Sequence, residues 1–556
     1  MTRTGEHLSD TLKGRIAYDG TDTPAKTALF LIVCAAWLVP GLIGHDPWKT
    51  DDAVTFGVVS EMLKGGNWLI PAVSGEAYLE RAPLFFWVAA IFAKVFGGLL
   101  PLQDAARLAA GFFMAVTLAA TSLTAMTIHG ERAARISVLL LIGCVGLLIR
   151  AHEMSTDIAG LAGVALGLLG IALGAKRPRT GGAVAGLGLA AAFLGDGFFP
   201  AFLLVATGAL MPATGGVWRT RGYAVTAGIA MAIALPLSAI WPVMFANGAP
   251  ALWHEWLRIA LASRWSGPDT LGAFNDLFYF ARIIAWYAWP ALPLAAWTLW
   301  RARKTIRQRT NLHLPLVALA VFFAALTLLA DAREVNALPL LLPLVLLGIA
   351  EIDSIRRGAA SALDWFGVTT FSLFGALIWL GWFAALTGSP EVIAAWLQRE
   401  VPGYKYTFRF IPFTFAMLLT LVWIVVVARS LRTTRRAVVN WAAGITMTWM
   451  LVMTLGLPIV NEARSYRGVS ERLRAALGGS LCTIGMGLGD PQRALLDHYI
   501  QLRTYKPDHP NAANCNTLLV QAAQARLPGV DPQWTEAWRG SRPGDRTELF
   551  ILYRRT

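Results

Sequence analysis

Charge is scarce in this chain. Of its 556 residues only 15% are Asp, Glu, Lys or Arg, where a soluble protein of ordinary composition carries about 25%. Histidine is sparse at eight, and cysteine sparser at four. There is no G-x-S-x-G, no H-E-x-x-H, no Walker sequence and no G-x-G-x-x-G after a strand, so the common hydrolase, zincin, NTPase and dinucleotide-binding chemistries lack their signatures. No internal repeat is visible, which weighs against a transporter built from paired halves. No small-residue cleavage site follows the first apolar run, so that run reads as a retained anchor. Four cysteines are too few for a disulfide scaffold. Cys34 and Cys144 sit in apolar segments as core residues. Cys482 and Cys515 lie in the polar tail, where they form a disulfide in an oxidising compartment or remain two buried thiols.

What the chain has instead is apolar length: 56% hydrophobic residues, 22 Trp, and a mean hydropathy of +0.53. Repeated long apolar stretches define a polytopic α-helical membrane protein. Spans are expected near 27–44, 104–128, 136–150, 158–175, 182–194, 198–211, 223–245, 277–299, 314–330, 337–351, 363–387, 410–428 and 438–458, about thirteen in all. Gly and Ala crowd 159–175 and 181–195, as in membrane helices that approach closely. The formal charge of +14 does not mark a nucleic-acid binder. Eighteen Lys and Arg fall in the alternate short loops 129–135, 176–180, 217–222, 300–310, 355–358 and 429–436, the pattern of cytoplasmic loops. The N-terminal segment 1–26 is then cytoplasmic, 27–458 is the membrane domain, and the long first loop 45–103 and the tail 459–556 lie outside. The tail predicts a helix over 461–477, a strand-turn-helix over 481–500 and a last strand near 548–555, a small α/β domain.

The loop 45–103 is too polar to cross and predicts two short helices on the membrane surface, one from Asp52 to Lys64 and one from Pro83 to Phe96. Ionisable groups at membrane depth are costly and usually functional. On this topology Asp51, Asp52, Glu80, Arg81, Arg150, His152, Glu153, Asp157, Asp196, Arg264 and Arg333 share the outer side. Taken singly, each has a plain explanation: Asp51 or Asp52 caps a helix, Asp157 caps the next, Glu80–Arg81 is a surface pair, and Arg150 and Arg333 snorkel. Taken together, carboxylates and arginines at a membrane-facing cleft suit group transfer from a lipid-linked phosphate. An arginine fork holds the phosphate, and a carboxylate orients or deprotonates an incoming hydroxyl. No spacing demands a metal, and a divalent cation beside the phosphate stays open.

The stretch 50–87 also resembles a known family. Asp51-Asp52, Glu61-Met62-Leu63, Gly66-Asn67-Trp68-Leu69-Ile70-Pro71 and Tyr78-Leu79-Glu80-Arg81 are similar to the opening loop of the bacterial lipid A aminoarabinose transferases. Those are protein mannosyltransferase-like membrane glycosyltransferases of the GT-C type. Echoes continue at Thr156-Asp157, at Trp253-His254 with Arg264, and at 332–344. The resemblance implies a GT-C fold with an outer C-terminal domain and a multi-pass place in the bacterial inner membrane. It also implies a polyprenyl-phosphate sugar donor, an inverting transfer, and a lipid or glycan acceptor on the periplasmic side. By the same resemblance Asp51 and Asp157 are the catalytic acids. Asp52, Glu80, Arg81, Asp196, Arg264 and Arg333 would bind donor phosphate or substrate. Departures fall at Asp52, Ala82, Asp196, Arg333 and Ala337, and they bear on the sugar more than on the reaction. The competing reading is a lipid or sugar flippase without transfer chemistry.

Overall fold

The computed structural model describes residues 24–265, 278–429, 435–479, 482–523, 529–545 and 547–555; most of the expected cytoplasmic segment 1–26 therefore lies outside the described residues. The first helix, α1 (Pro24–Leu38), leads into the polar loop. That loop holds α2 (Asp51–Leu63), a small hairpin of β1 (Ala72–Val73) and β2 (Glu76–Ala77), and α3 (Leu84–Phe96). The bundle continues with α4 (Leu102–His129), α5 (Glu131–Ile142), α6 (Thr156–Gly174), α7 (Pro178–Asp196) and α8 (Phe198–Leu210). After these come α9 (Arg221–Gly248), α10 (Pro250–Trp265), α11 (Tyr279–Tyr287), α12 (Ala291–Ala302), α13 (Thr310–Leu329) and α14 (Leu341–Gly348). It closes with α15 (Arg357–Thr387), α16 (Glu391–Glu400), α17 (Phe410–Arg429), α18 (Arg436–Leu451) and α19 (Leu457–Arg464).

Every expected apolar segment is helical, but not every one is a single straight span. Seven described helices are long and apolar enough to cross a bilayer unaided, eight if α5 and the bent 3-10 stretch after it count as one, so the count of thirteen is not reached by length alone. Segment 277–299 is broken between α11 and α12 around Trp289–Pro290, since proline removes a backbone donor inside the run. Segment 337–351 begins as a 3-10 helix, Glu334–Leu340, with Pro339 inside it.

The glycine-rich pair behaves as its composition predicts. A methyl group added at Gly163 would lie 2.2 Å from the Ala192 backbone nitrogen, and one at Gly170 would lie 2.1 Å from that of Ala185. α6 and α7 thus run backbone to backbone, which only glycine allows. Their antiparallel contact places the first turn of α6, with Asp157, beside the last turn of α7, with Asp196. Even Gly160 belongs to this device: its absent Cβ would meet the Asp196 Cβ at 2.7 Å.

The tail is the expected α/β unit: α20 (Arg467–Leu477), β3 (Thr483–Met486), α21 (Asp490–Ile500), β4 (Thr504–Tyr505), β5 (Thr517–Ala522), β6 (Trp534–Gly540) and β7 (Leu549–Arg555). The sheet order is β4-β3-β5-β7-β6, parallel through β5 and antiparallel beyond it. The helix expected over 461–477 is two, broken at Ser465–Tyr466. Ser465 accepts the Arg467 amide and donates to Asp46, which turns the chain against the first loop. Cys482 and Cys515 form the disulfide, tying the start of β3 to the start of β5. It closes a loop of 33 residues, so replacing both cysteines with serine is expected to cost about 3–4 kcal/mol. Chemical denaturation of the oxidised protein followed by tail fluorescence measures it, and added reductant should reproduce the loss.

α2 does not lie open on the protein's own surface: Asp52 through Ser60 and Met62 are all buried. The tail covers it. A methyl group at Gly57 would strike the Ala494 Cβ of α21 at 2.5 Å, Phe56 meets the His498 ring edge-on at 4.7 Å, and Ala53 enters the tail's own core with Tyr466, Leu495 and Phe550. Ion pairs fasten the edges: Lys64–Asp497 at 3.2 Å, Arg503–Glu61 at 3.1 Å and Arg493–Glu76 at 2.8 Å. The first loop is therefore a layer between the bundle and the tail.

Candidate functional site

Four chain segments meet at the end of the bundle beneath that layer. The loop after the β1–β2 hairpin brings Arg81. The α6–α7 contact brings Asp157 and Asp196, and the start of α2 brings Asp51. Arg81 Nη1 lies 2.6 Å from Asp196 Oδ1 and 3.2 Å from Asp157 Oδ1. The Ser155 hydroxyl donates to Asp157 Oδ2 at 2.7 Å and also accepts the Asp157 amide at 3.3 Å. Ser155, not Asp157, is thus the helix N-cap, and the Asp157 carboxylate is left to face Arg81.

A second arginine organises the other half. The bend after α5 turns the chain through 3-10 helix Arg150–His152. Arg150 Nη1 then reaches Asp51 Oδ2 and Glu153 Oε2, each at 3.1 Å. Thr50 occupies the N-cap position of α2 without a side-chain bond, so neither Asp51 nor Asp52 is a capping residue. Burial first, and then the negative charge of Asp157, push the Asp51 carboxyl above its ordinary range, against the pull of Arg81, Arg150 and Arg333. Asp51 and Asp157 therefore share one electrostatic site, although they are far apart in sequence.

The remaining expected residues divide. Arg333 is exposed, at the start of the 3-10 helix Glu334–Leu340, and its charge acts on Asp51 across the cleft. Glu80 is exposed on the rim of a small cavity that it shares with Arg81, Asp196, Phe198 and Trp256. That cavity abuts an aromatic wall in which Phe198, Trp241, Phe245 and Trp256 pack together, a surface suited to an apolar tail. Arg264 falls in α10, and its side chain lies outside the described residues. Asp52, expected at the donor phosphate, is placed elsewhere. It is 2% exposed and spends both oxygens inside the protein: Arg107 Nε and Nη2 at 3.2 and 3.0 Å, the Met154 amide at 3.0 Å and the Trp48 amide at 3.1 Å. Burial alone would raise its pKa, but Arg107 and these donors hold it below the usual carboxylate range. Adjacent helical residues point about 100° apart, so Asp51 faces the cleft while Asp52 faces the core.

In the sequence Glu153 is only one of many outer charges. Burial pushes its carboxyl up to about 7, against Arg150 and with Asp52 and Asp51 adding to the rise. A raised carboxyl pKa means the folded protein holds a proton that the unfolded chain has released. Between the ordinary carboxylate range and pH 7, stability therefore falls as pH rises. In the cleft the same ionisation adds one negative charge beside Arg150. The KM for an anionic substrate is expected to rise severalfold from pH 6 to pH 8 in purified protein, and Glu153→Gln to flatten that rise. Among the described residues, no group of three or more His, Cys, Asp or Glu is arranged to hold a metal ion.

Comparison with known proteins bears on the fold and on the kind of protein this chain resembles. No family model matches the chain. A protein of Pseudomonas aeruginosa strain UCBPP-PA14, named undecaprenyl phosphate-alpha-4-amino-4-deoxy-L-arabinose arabinosyl transferase, is 26% identical over 457 residues, 78% of this chain and 76% of its own. A protein of the same name from Pseudomonas savastanoi pv. phaseolicola is 24% identical over 548 residues, 93% of each chain. Among solved structures, ArnT from Cupriavidus metallidurans bound to undecaprenyl phosphate superposes with a TM-score of 0.67 at 16% identity, covering 95% of this chain and 97% of that one. The apo state of the same protein gives 0.65 at 17% identity, with the same coverage. The resemblance read in residues 50–87 thus extends over most of the chain, and the fold is that of ArnT.

Proposed function

We propose that this chain is an integral-membrane glycosyltransferase. It moves a sugar from a polyprenyl-phosphate donor to an envelope glycolipid or glycan on the periplasmic side of the bacterial inner membrane. The observation that carries this reading is the meeting of Asp51 and Asp157 with two arginines at one end of the bundle. The relatives named above support the donor class, and the positive loops at the opposite end support the orientation.

The chemistry assigned to these residues is a single displacement. The acceptor oxygen attacks the anomeric carbon as the bond from that carbon to the phosphate oxygen breaks, with inversion. The acceptor's proton passes to Asp51. The phosphate departs on its lipid carrying the bonding electron pair, and Arg81 and Arg150 meet the charge it gains. Because a phosphate leaves readily, most of the rate comes from orientation and from charges already in place. Asp157 and Asp196 hold Arg81 through its Nη1; the aromatic wall takes the prenyl chain.

The deciding experiment uses purified protein in lipid vesicles with a radiolabelled polyprenyl-phosphate sugar. Transfer of label to added envelope glycolipid supports the reading. Movement of intact donor between leaflets without transfer refutes it in favour of a flippase. Mass spectrometry of envelope lipids from cells with and without the gene then identifies the sugar through the mass that disappears.

A further inference from the structure

We propose that the phenolic hydroxyl of Tyr287 is a further ligand-contacting group of this cleft and donates a hydrogen bond to a phosphate oxygen of the lipid-linked donor. The inference rests on the transferase reading above and adds a residue that the first-loop motif does not contain.

Tyr287 ends α11, just before the break around Trp289–Pro290. Its ring lies flat on the backbone of Gly146, where an added Cβ would fall 2.3 Å from the ring carbons. Gly146 belongs to the 3-10 turn Val145–Leu147, three residues before the one that presents Arg150. The Trp286 ring meets Tyr287 edge-on, with centroids 5.5 Å apart. The side chain is thereby fixed in one place, and the residue is 2% exposed. Its oxygen is fully buried and has no hydrogen-bond partner among the described residues. The charges that act on it are those of Arg150, Asp157 and Glu334.

A buried hydroxyl without a partner is costly, and a phenylalanine would fill the same space without that cost. Tyrosine is therefore justified by something that binds there. Arg150 offers only donors. Asp157 already receives Ser155 and Arg81. No described residue, Glu334 included, accepts from the phenol, so the acceptor we infer is a bound one, and the nearby guanidinium favours an anion. In the reaction proposed here, the anion at that end is the donor phosphate.

Tyr287→Phe tests this, because it removes one oxygen and keeps the ring on Gly146. The probe is undecaprenyl phosphate without sugar, titrated into full-length protein in nanodiscs. The expected result is an affinity about tenfold weaker or more, as for a lost hydrogen bond to a charged group. The KM for the sugar donor should rise more than kcat falls, and the melting temperature should hold or increase. Unchanged affinity for undecaprenyl phosphate overturns the proposal. If turnover then falls, the hydroxyl contacts the sugar instead; if only the melting temperature falls, its role is packing. Wild-type protein that fails to bind undecaprenyl phosphate at all overturns the transferase reading itself, which separates the two failures.

Discussion

Asp51→Asn is expected to lower kcat by about 10²–10⁴-fold, the range that a positioned general base supplies, while the protein still inserts and folds. Asn keeps the shape and the polar contact with Arg150, so folding is little affected. It cannot take the acceptor's proton. Binding of undecaprenyl phosphate should change little, or tighten slightly, because the substitution removes a negative charge from the phosphate's surroundings. The measurement is single-turnover transfer at saturating donor alongside equilibrium binding. Wild-type turnover in the variant would remove Asp51 from the chemistry. A loss of binding without loss of kcat would make it a donor-positioning group.

How far such a site can be read in advance depends on which forces are local. The spans were legible because apolar length and glycine content act within a helix or between neighbours; the α6–α7 contact follows from GLAGVALGLLGIALG and GGAVAGLGLAAAFLG almost directly. The fold and the enzyme class were legible through the composite pattern in residues 50–87. The burial of α2 was not, because the surface that covers it is α21, which begins more than four hundred residues later. Asp51 and Asp52 are chemically alike in sequence, and only Arg107, Met154 and Trp48 decide which of them faces inward. Tyr287 sits in an apolar stretch as one more aromatic. Its distinguishing mark, an oxygen without a partner, exists only once Gly146 and Arg150 are folded against it.

The partition of the two adjacent aspartates has a sharp consequence for stability. Arg107 is 0% exposed. Besides its fork onto Asp52, it bonds Asp104 Oδ1 at 3.0 Å and the backbone carbonyls of Leu42 and His45 at 3.4 Å each. Asp104 in turn accepts the Gly44 amide at 2.9 Å. One guanidinium thus joins α4, the end of the first loop's entry and the first turn of α2, the turn that aims Asp51. Arg107→Met removes the cation that bonds the buried carboxylates of Asp52 and Asp104. Uncompensated buried charge of that kind costs about 3–5 kcal/mol. The expected result is a large fall in melting temperature in detergent, or failure to accumulate in the membrane. Adding Asp52→Asn and Asp104→Asn to the same chain should recover part of the loss, since the stranded charges are gone. Asp52→Asn alone should destabilise the protein yet leave kcat per folded molecule within about threefold of wild type, because Asp52 touches no part of the cleft. A thousandfold loss of kcat with unchanged stability would reverse that assignment and return Asp52 to the donor phosphate.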